Sequence, residues 1–313
     1  MSTAVRTPRP VAALVVVAMD EEARPFLDAL APLDDVDEVP LLGTARAWSL
    51  ALLRECEHGR ELPHPHRPGT AAAGGSELAT VKTVGPDAEP DDGRADAAAG
   101  GPHAEPDNGS GDGRPAGSRE LVLVRSGIGL VAAASALATA LTRLAPAVVL
   151  SAGTTGGLGR EVEVGDVCVS TTLAYTDADA TAFGYAHGQT PGQPAVFEAD
   201  AAVLARVEEV GPAALRASTA SSGGARIRAG QMLAGNSFVT AANVGRAREL
   251  FPGAVSTDME STALAQVAAS AGIPFASVRG VSDLCGPEAG QDFHIGAHEA
   301  AARSAAVVLA ALG

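Results

Sequence analysis

The sequence is poor in aromatic residues, in cysteine and in positive charge. Aromatics make up 3% of 313 residues, so a core has to be built from Ala, Val and Leu within an apolar content of 46%. Three cysteines, Cys56, Cys168 and Cys285, show no C-x-x-C spacing. That leaves neither a disulfide framework nor a zinc pattern, and free thiols in a reducing cytoplasm are expected, with no metal or other cofactor. Lys and Arg number 22 against 37 Asp and Glu, a formal net charge of −15. This argues against binding to nucleic acid or an anionic membrane, both of which require a positive patch. No apolar run is long enough to span a bilayer. Residues 10–19 follow Arg6 and Arg9 but run directly into Asp20, Glu21 and Glu22 without a small-residue cleavage site. They read as a strand rather than a signal peptide.

What is abundant is equally uneven. Residues 58–117 hold 12 Gly and 8 Pro and no aromatic residue. Such a stretch cannot bury enough surface to offset its chain entropy and is expected to be a disordered insertion. Its His64 and His66 read as part of a solvated Pro/His tract rather than a metal site. Residues 1–10 are expected to be a flexible N-terminus, leaving 11–57 plus 118–313 as one domain.

In that domain, strand-like runs (11–18, 47–54, 120–127, 147–153, 166–175, 230–238 and 275–283) alternate with Ala/Leu-rich helical patterns (20–30, 129–144, 243–251, 259–272 and 298–312). The alternation predicts an α/β fold: a single three-layer α/β/α domain around a mixed, mostly parallel sheet. Ligands of such sheets bind outside the carboxyl ends of the strands. There the sequence places Glu22 after the first run, Ser126 in RSGIG and a Gly-rich turn in SAGTTGGL (151–158). Phe238 lies in GNSF, Glu260 in STDMES, and Arg279, Ser282 and Asp283 in RGVSD.

Each feature has a plainer reading. Acids in a first helical turn complement the macrodipole, which would account for Asp20, Glu21, Asp258 and Glu260. Ser282-Asp283 could be a helix cap, Phe238 a core residue, and the glycines close-packing turns. Arg279 inside an apolar strand is harder to dismiss, because a buried Arg wants a carboxylate. Together these residues offer an acid for a leaving group, a base for water, a sugar-hydroxyl acceptor and an aromatic face. That inventory suits cleavage of a glycosidic bond.

The string YTDADATAFGYAHGQTPGQPAVF (175–197) resembles the loop of 5′-methylthioadenosine/S-adenosylhomocysteine nucleosidases. AMDEEARPF, RSGIGLVAA, SAGTTGGL, GDVCVS, STDMESTALA and FASVRGVSD resemble that family's motifs and follow its order. The resemblance implies a nucleoside phosphorylase-like fold and a purine nucleoside as partner. It makes Asp283 the acid at adenine N7, Ser282 its support, and Glu22 the group that deprotonates water, with Ser126 and Arg279 nearby. Phe238 would stack on adenine and the Val239 backbone would read its Watson–Crick edge. Glu260 would grip the ribose hydroxyls with Met259 against the sugar. Phe183 would be lent by the second subunit of a homodimer to close the 5′-alkylthio pocket, and Phe293 would cover the same pocket. An acid that must hold its proton and a base that must be ionised imply a bell-shaped pH–rate profile.

Four positions depart from the family pattern: Asp20 and Asp258 where Glu is frequent, Leu130 where a lysine is common, and Ala180 where a larger aliphatic is frequent. Phosphorylases of the wider superfamily hold phosphate with a Gly/Arg-bearing loop after the first strand. The carboxylates found here would repel phosphate and activate water, so hydrolysis is expected. The alternatives are a futalosine-type nucleosidase of menaquinone synthesis, a phosphate-dependent phosphorylase, and a non-catalytic nucleoside-binding module.

Overall fold

The computed structural model describes residues 7–33, 39, 41–52, 119–286 and 295–313. The chain divides into Met1–Glu55 with Asp112–Gly313, and Cys56–Gly111; all the described residues belong to the first unit. The expected insertion, 58–117, lies outside the described residues, as do His64, His66 and Phe293.

The elements run β1 (Arg9–Val11), β2 (Ala13–Val17), α1 (Asp20–Ala29), β3 (Arg46–Leu52), β4 (Arg119–Arg125) and α2 (Leu130–Leu141). Next come β5 (Leu144–Pro146), β6 (Val149–Gly157), β7 (Val167–Tyr175), β8 (Phe197–Glu198) and α3 (Ala201–Ser218). The last are β9 (Ile227–Ala234), α4 (Val244–Leu250), β10 (Ala254–Asp258), α5 (Ser261–Ser270), β11 (Phe275–Asp283) and α6 (Ala297–Leu312). The main sheet is ordered β10-β9-β7-β11-β6-β2-β4-β3, and β10 returns to pair with β6. The central neighbours β4, β2, β6 and β11 are parallel, while β3–β4, β7–β11 and β6–β10 are antiparallel. The fold is the expected α/β arrangement on a mixed sheet.

Small side chains set the packing. All of β2 is buried, as the continuous apolar run of a strand covered on both faces should be. On one face Ala23 and Phe26 of α1, Val207 and Leu215 of α3, and Ala305 and Val308 of α6 form a single core. On the other, Ala133, Ala136 and Leu137 of α2 pack with Leu264 and Ala268 of α5. Among the described residues no helix is long and apolar enough to cross a membrane.

Several expectations need correction. SAGTTGGL is strand rather than turn, since β6 continues to Gly157. Gly156 and Gly157 there pair with Thr257 and Ser256 of β10, a strand that was not foreseen. Helix α3 was also unforeseen, because its Gly211 and Pro212 mask an otherwise helical pattern. The run 230–238 ends as a strand at Ala234. Arg9 and Pro10, expected in a flexible terminus, pair with Leu144 and Ala145.

The sheet and α6 meet closely at Gly280. A Cβ there would lie 2.0 Å from the Ala300 carbonyl oxygen, which belongs to backbone and cannot swing away. Gly280→Ala is therefore expected to cost on the order of 3 kcal/mol in chemical denaturation, at the upper end for overpacking. An unchanged midpoint would mean that α6 is free to move off β11.

Candidate active site

One cavity of about 160 Å³ lies where the carboxyl ends of β2, β6, β10 and β11 converge. Glu22, Glu260 and Asp283 all line it. Phe238, Val239 and Met259 line it too, as do Arg279 and Ser282. The structure thus brings together eight of the eleven residues singled out from the sequence. Ser126 lies outside the lining, its hydroxyl directed to the carbonyls of Val17 at 3.2 Å and Gly127 at 2.8 Å. Phe183 stands 83% exposed on a short turn away from this chain's cavity.

Glu22 is fixed from two sides. It occupies the first turn of α1, where β2 stops, and is 1% exposed. One carboxylate oxygen accepts the amides of Ala18 at 2.7 Å and Met19 at 3.1 Å. The other accepts the Thr154 amide at 2.8 Å and its hydroxyl at 2.9 Å. Gly153 makes the approach possible: its φ is +126°, and a Cβ there would fall 2.4 Å from the Glu22 carboxyl carbon. The Gly153 amide in turn donates to Ser304 Oγ on α6.

Arg279 lies in mid-strand on β11 and is 1% exposed. Its guanidinium meets Glu260 at 3.1 Å and Asp258 at 3.6 Å, and donates to Ser151 Oγ and the Thr154 carbonyl. Burial works against its charge, but Asp258, Glu260 and Glu22 together hold it above its ordinary value. Glu260 is the residue before α5 and also accepts the Gly129 amide at 2.8 Å. Burial pushes its carboxyl up to about 7; Arg279 and the Gly129 amide oppose that rise, while Asp258 and Glu22 add to it.

At the other end, Asp283 accepts the Cys285 amide at 2.9 Å on one oxygen and the Ser282 hydroxyl at 3.1 Å on the other. The register of β11 against β6 shifts between Val281 and Asp283. A shift of this kind re-aims a side chain at the end of a strand. Cys285 has φ +54°, a left-handed backbone rarely adopted by a non-glycine residue. Its thiol is pushed up to about 12 by burial and by Asp283, so it stays protonated. Sequence reasoning missed Gly153, Thr154, Cys285 and the pairing of Asp258 with Arg279. The Gly-rich run was the available signal for the first two.

The Phosphorylase superfamily profile matches residues 114–313. A 5′-methylthioadenosine/S-adenosylhomocysteine nucleosidase of Actinobacillus succinogenes is 37% identical over 195 residues, 62% of this chain and 81% of that relative. One from Anoxybacillus flavithermus is 36% identical over 189 residues, 60% of this chain and 78% of the relative. Among solved structures, the nucleosidase of Colwellia psychrerythraea in complex with adenine superposes with a TM-score of 0.67 at 26% identity, covering 97% of this chain and 95% of the other. That of Neisseria meningitidis in complex with methylthio-immucillin-A gives 0.66 at 28% identity, covering 96% and 97%.

The raised Glu260 carboxyl has a consequence for stability. Its folded value, about 7, exceeds the reference value of 4.5, so its contribution is complete below the reference value and is lost as pH rises through the folded one. The unfolding free energy of wild type minus that of Glu260→Gln should therefore fall between about pH 5 and about pH 8. A difference that stays flat over that window would contradict the assignment.

Proposed function

The chain belongs to the Phosphorylase superfamily and, within it, to the 5′-methylthioadenosine/S-adenosylhomocysteine nucleosidases, and on that premise we propose that its cavity hydrolyses the N-glycosidic bond of these two nucleosides. The products are adenine and the 5-thioribose. The observation that carries this reading is the meeting of Glu22, Glu260 and Asp283 in one cavity with an apolar wall.

In this reading Phe238 stacks on the purine and the Val239 backbone reads its edge. Met259 packs on the sugar, and Glu260, braced by Arg279, accepts from the ribose hydroxyls. Asp283 gives its proton to N7 as the C1′–N9 bond breaks and its electron pair moves into the base. Ser282, whose hydroxyl lies 3.1 Å from Asp283 and 3.4 Å from the Thr155 carbonyl, can turn between them as that proton leaves. Water adds to C1′ and its proton passes to Glu22. The carboxylates also stabilise the positive charge that develops on the sugar. Ser126 supports this end from behind, through the β2 backbone.

The state of Glu22 explains the choice of nucleophile. The amides of Ala18, Met19 and Thr154 are donors that a phosphate would need, and the protein's own carboxylate already occupies them. A second anion would find those three amides taken and would meet a like charge. Adenine release from methylthioadenosine should therefore proceed at the same rate with and without inorganic phosphate, and yield no sugar phosphate. Phosphate-dependent release would overturn this role for Glu22.

Asp283→Asn is expected to lower kcat on adenine nucleosides by about a thousandfold, within the range for loss of general acid catalysis. Circular dichroism and melting behaviour should change little, since the amide retains an acceptor for Cys285. A near-normal rate in the folded variant would show that the acid lies elsewhere.

A homodimer fits the exposed apolar residues. Phe183 is 83% exposed, and Ile128 and Phe238, which is 57% exposed, flank the open cavity. Phe183 of one subunit then closes the 5′ side of its neighbour's pocket. Net charge and the free buried thiols Cys168 and Cys285 suit a cytoplasmic setting.

A further inference from the structure

We propose that Asp258 is a positioning residue for the sugar-binding end of the cavity: it fixes the start of α5, from which Glu260 projects, and by sharing Arg279 it governs the ionisation of Glu260. This rests on the reading of Glu260 given above.

Asp258 ends β10, and its side chain is 2% exposed. One oxygen accepts the amides of Glu260 at 2.8 Å and Ser261 at 2.7 Å. The other accepts the Ser261 hydroxyl at 2.6 Å and lies 3.6 Å from Arg279 Nε. The two amides hold the non-helical turn, φ −134°, that aims Glu260 into the cavity. A neutral asparagine oxygen could accept those amides equally well. It could not supply the charge.

The charge matters because one buried guanidinium faces two carboxylates. Asp258 has three donors of its own besides Arg279, whereas Glu260 has the Gly129 amide and Arg279. The uncompensated negative charge therefore falls on Glu260. The charged and donor groups facing Glu260 are Arg279 from β11, Asp258 from β10, Glu22 from α1 and the Gly129 amide before α2. Among the carboxylates, Asp258 acts on it more strongly than Glu22. Glu260 must be ionised to accept two hydroxyls, so Asp258 sets the pH at which substrate is gripped.

The test compares wild type with Asp258→Asn, which keeps the cap and loses the charge. Carbon-13 NMR of glutamate carboxyls in the ligand-free protein, assigned with Glu260→Gln, follows Glu260 directly. The acid limb of kcat/KM for methylthioadenosine follows it functionally. Both should move down by about one pH unit, the scale of a neighbouring charge. Asp258→Ser, a second neutral cap, must move them the same way and serves if the asparagine variant does not fold. A Glu260 titration unchanged in a folded neutral variant overturns the proposal, as does a fall in melting temperature with no displacement, which would reduce Asp258 to a cap. If wild type releases no adenine, the functional reading fails instead, and the NMR titration still decides the coupling.

Discussion

The carboxylate of Glu22, held by four donors from the turn after β2 and from strand β6, is the interaction on which the rest of the site depends. A buried carboxylate is costly unless hydrogen bonds replace its water. Here they come from the turn after β2 and from Thr154 on the neighbouring strand β6. The arrangement requires Gly153, because any side chain would occupy the space of the carboxyl group. It also reaches α6, since Ser304 takes the Gly153 amide and donates to the Val278 carbonyl on β11. A helix far along the chain thus helps to place the group that opens it.

The second group of buried charges, Arg279 with Glu260 and Asp258, is maintained at a different cost. Removing one partner of such a cluster typically costs about 3–5 kcal/mol, because another charge is left uncompensated. The serines behind it limit that exposure. Ser151 accepts from Arg279, and Ser261 bridges Asp258 and Ser277. In the proposed reading this polar seam lies beneath the sugar, whereas Phe238 and Val239, which also line the cavity, face the base. The asymmetry matches a ligand with a polar ribose and a flat, apolar-faced purine.

Much of this could be read in the sequence, for identifiable reasons. The run 11–18 and the strand 275–283 announced themselves because buried parallel strands are continuously apolar. Arg279 stood out because it interrupted one of them. Glu22 and Asp283 were legible from their places at strand ends, and Glu260 from its place at a helix start. The plainer reading of the acidic turns was also partly right: Asp20 and Glu21 stand in the first turn of α1, whereas Asp258 belongs to β10 and holds the start of α5 from there. What was hidden depended on contacts between distant segments. Glycines in β6 look like a turn until Glu22 and β10 occupy the space they leave. Strand β10 is too short to be distinguished from the approach to a helix, and Thr154 gains its role only when β2 lies beside β6.

In the proposed reading a purine riboside lies across one cavity with its base at Asp283 and its sugar between Glu260 and Glu22. A crystal structure with a hydrolysis-resistant methylthioadenosine analogue tests this most directly. The expected result is N7 within hydrogen-bonding distance of Asp283, both ribose hydroxyls on Glu260, and a water held by Glu22 beneath C1′. A reversed ligand, or a phosphate or other anion in the place of that water, would contradict it.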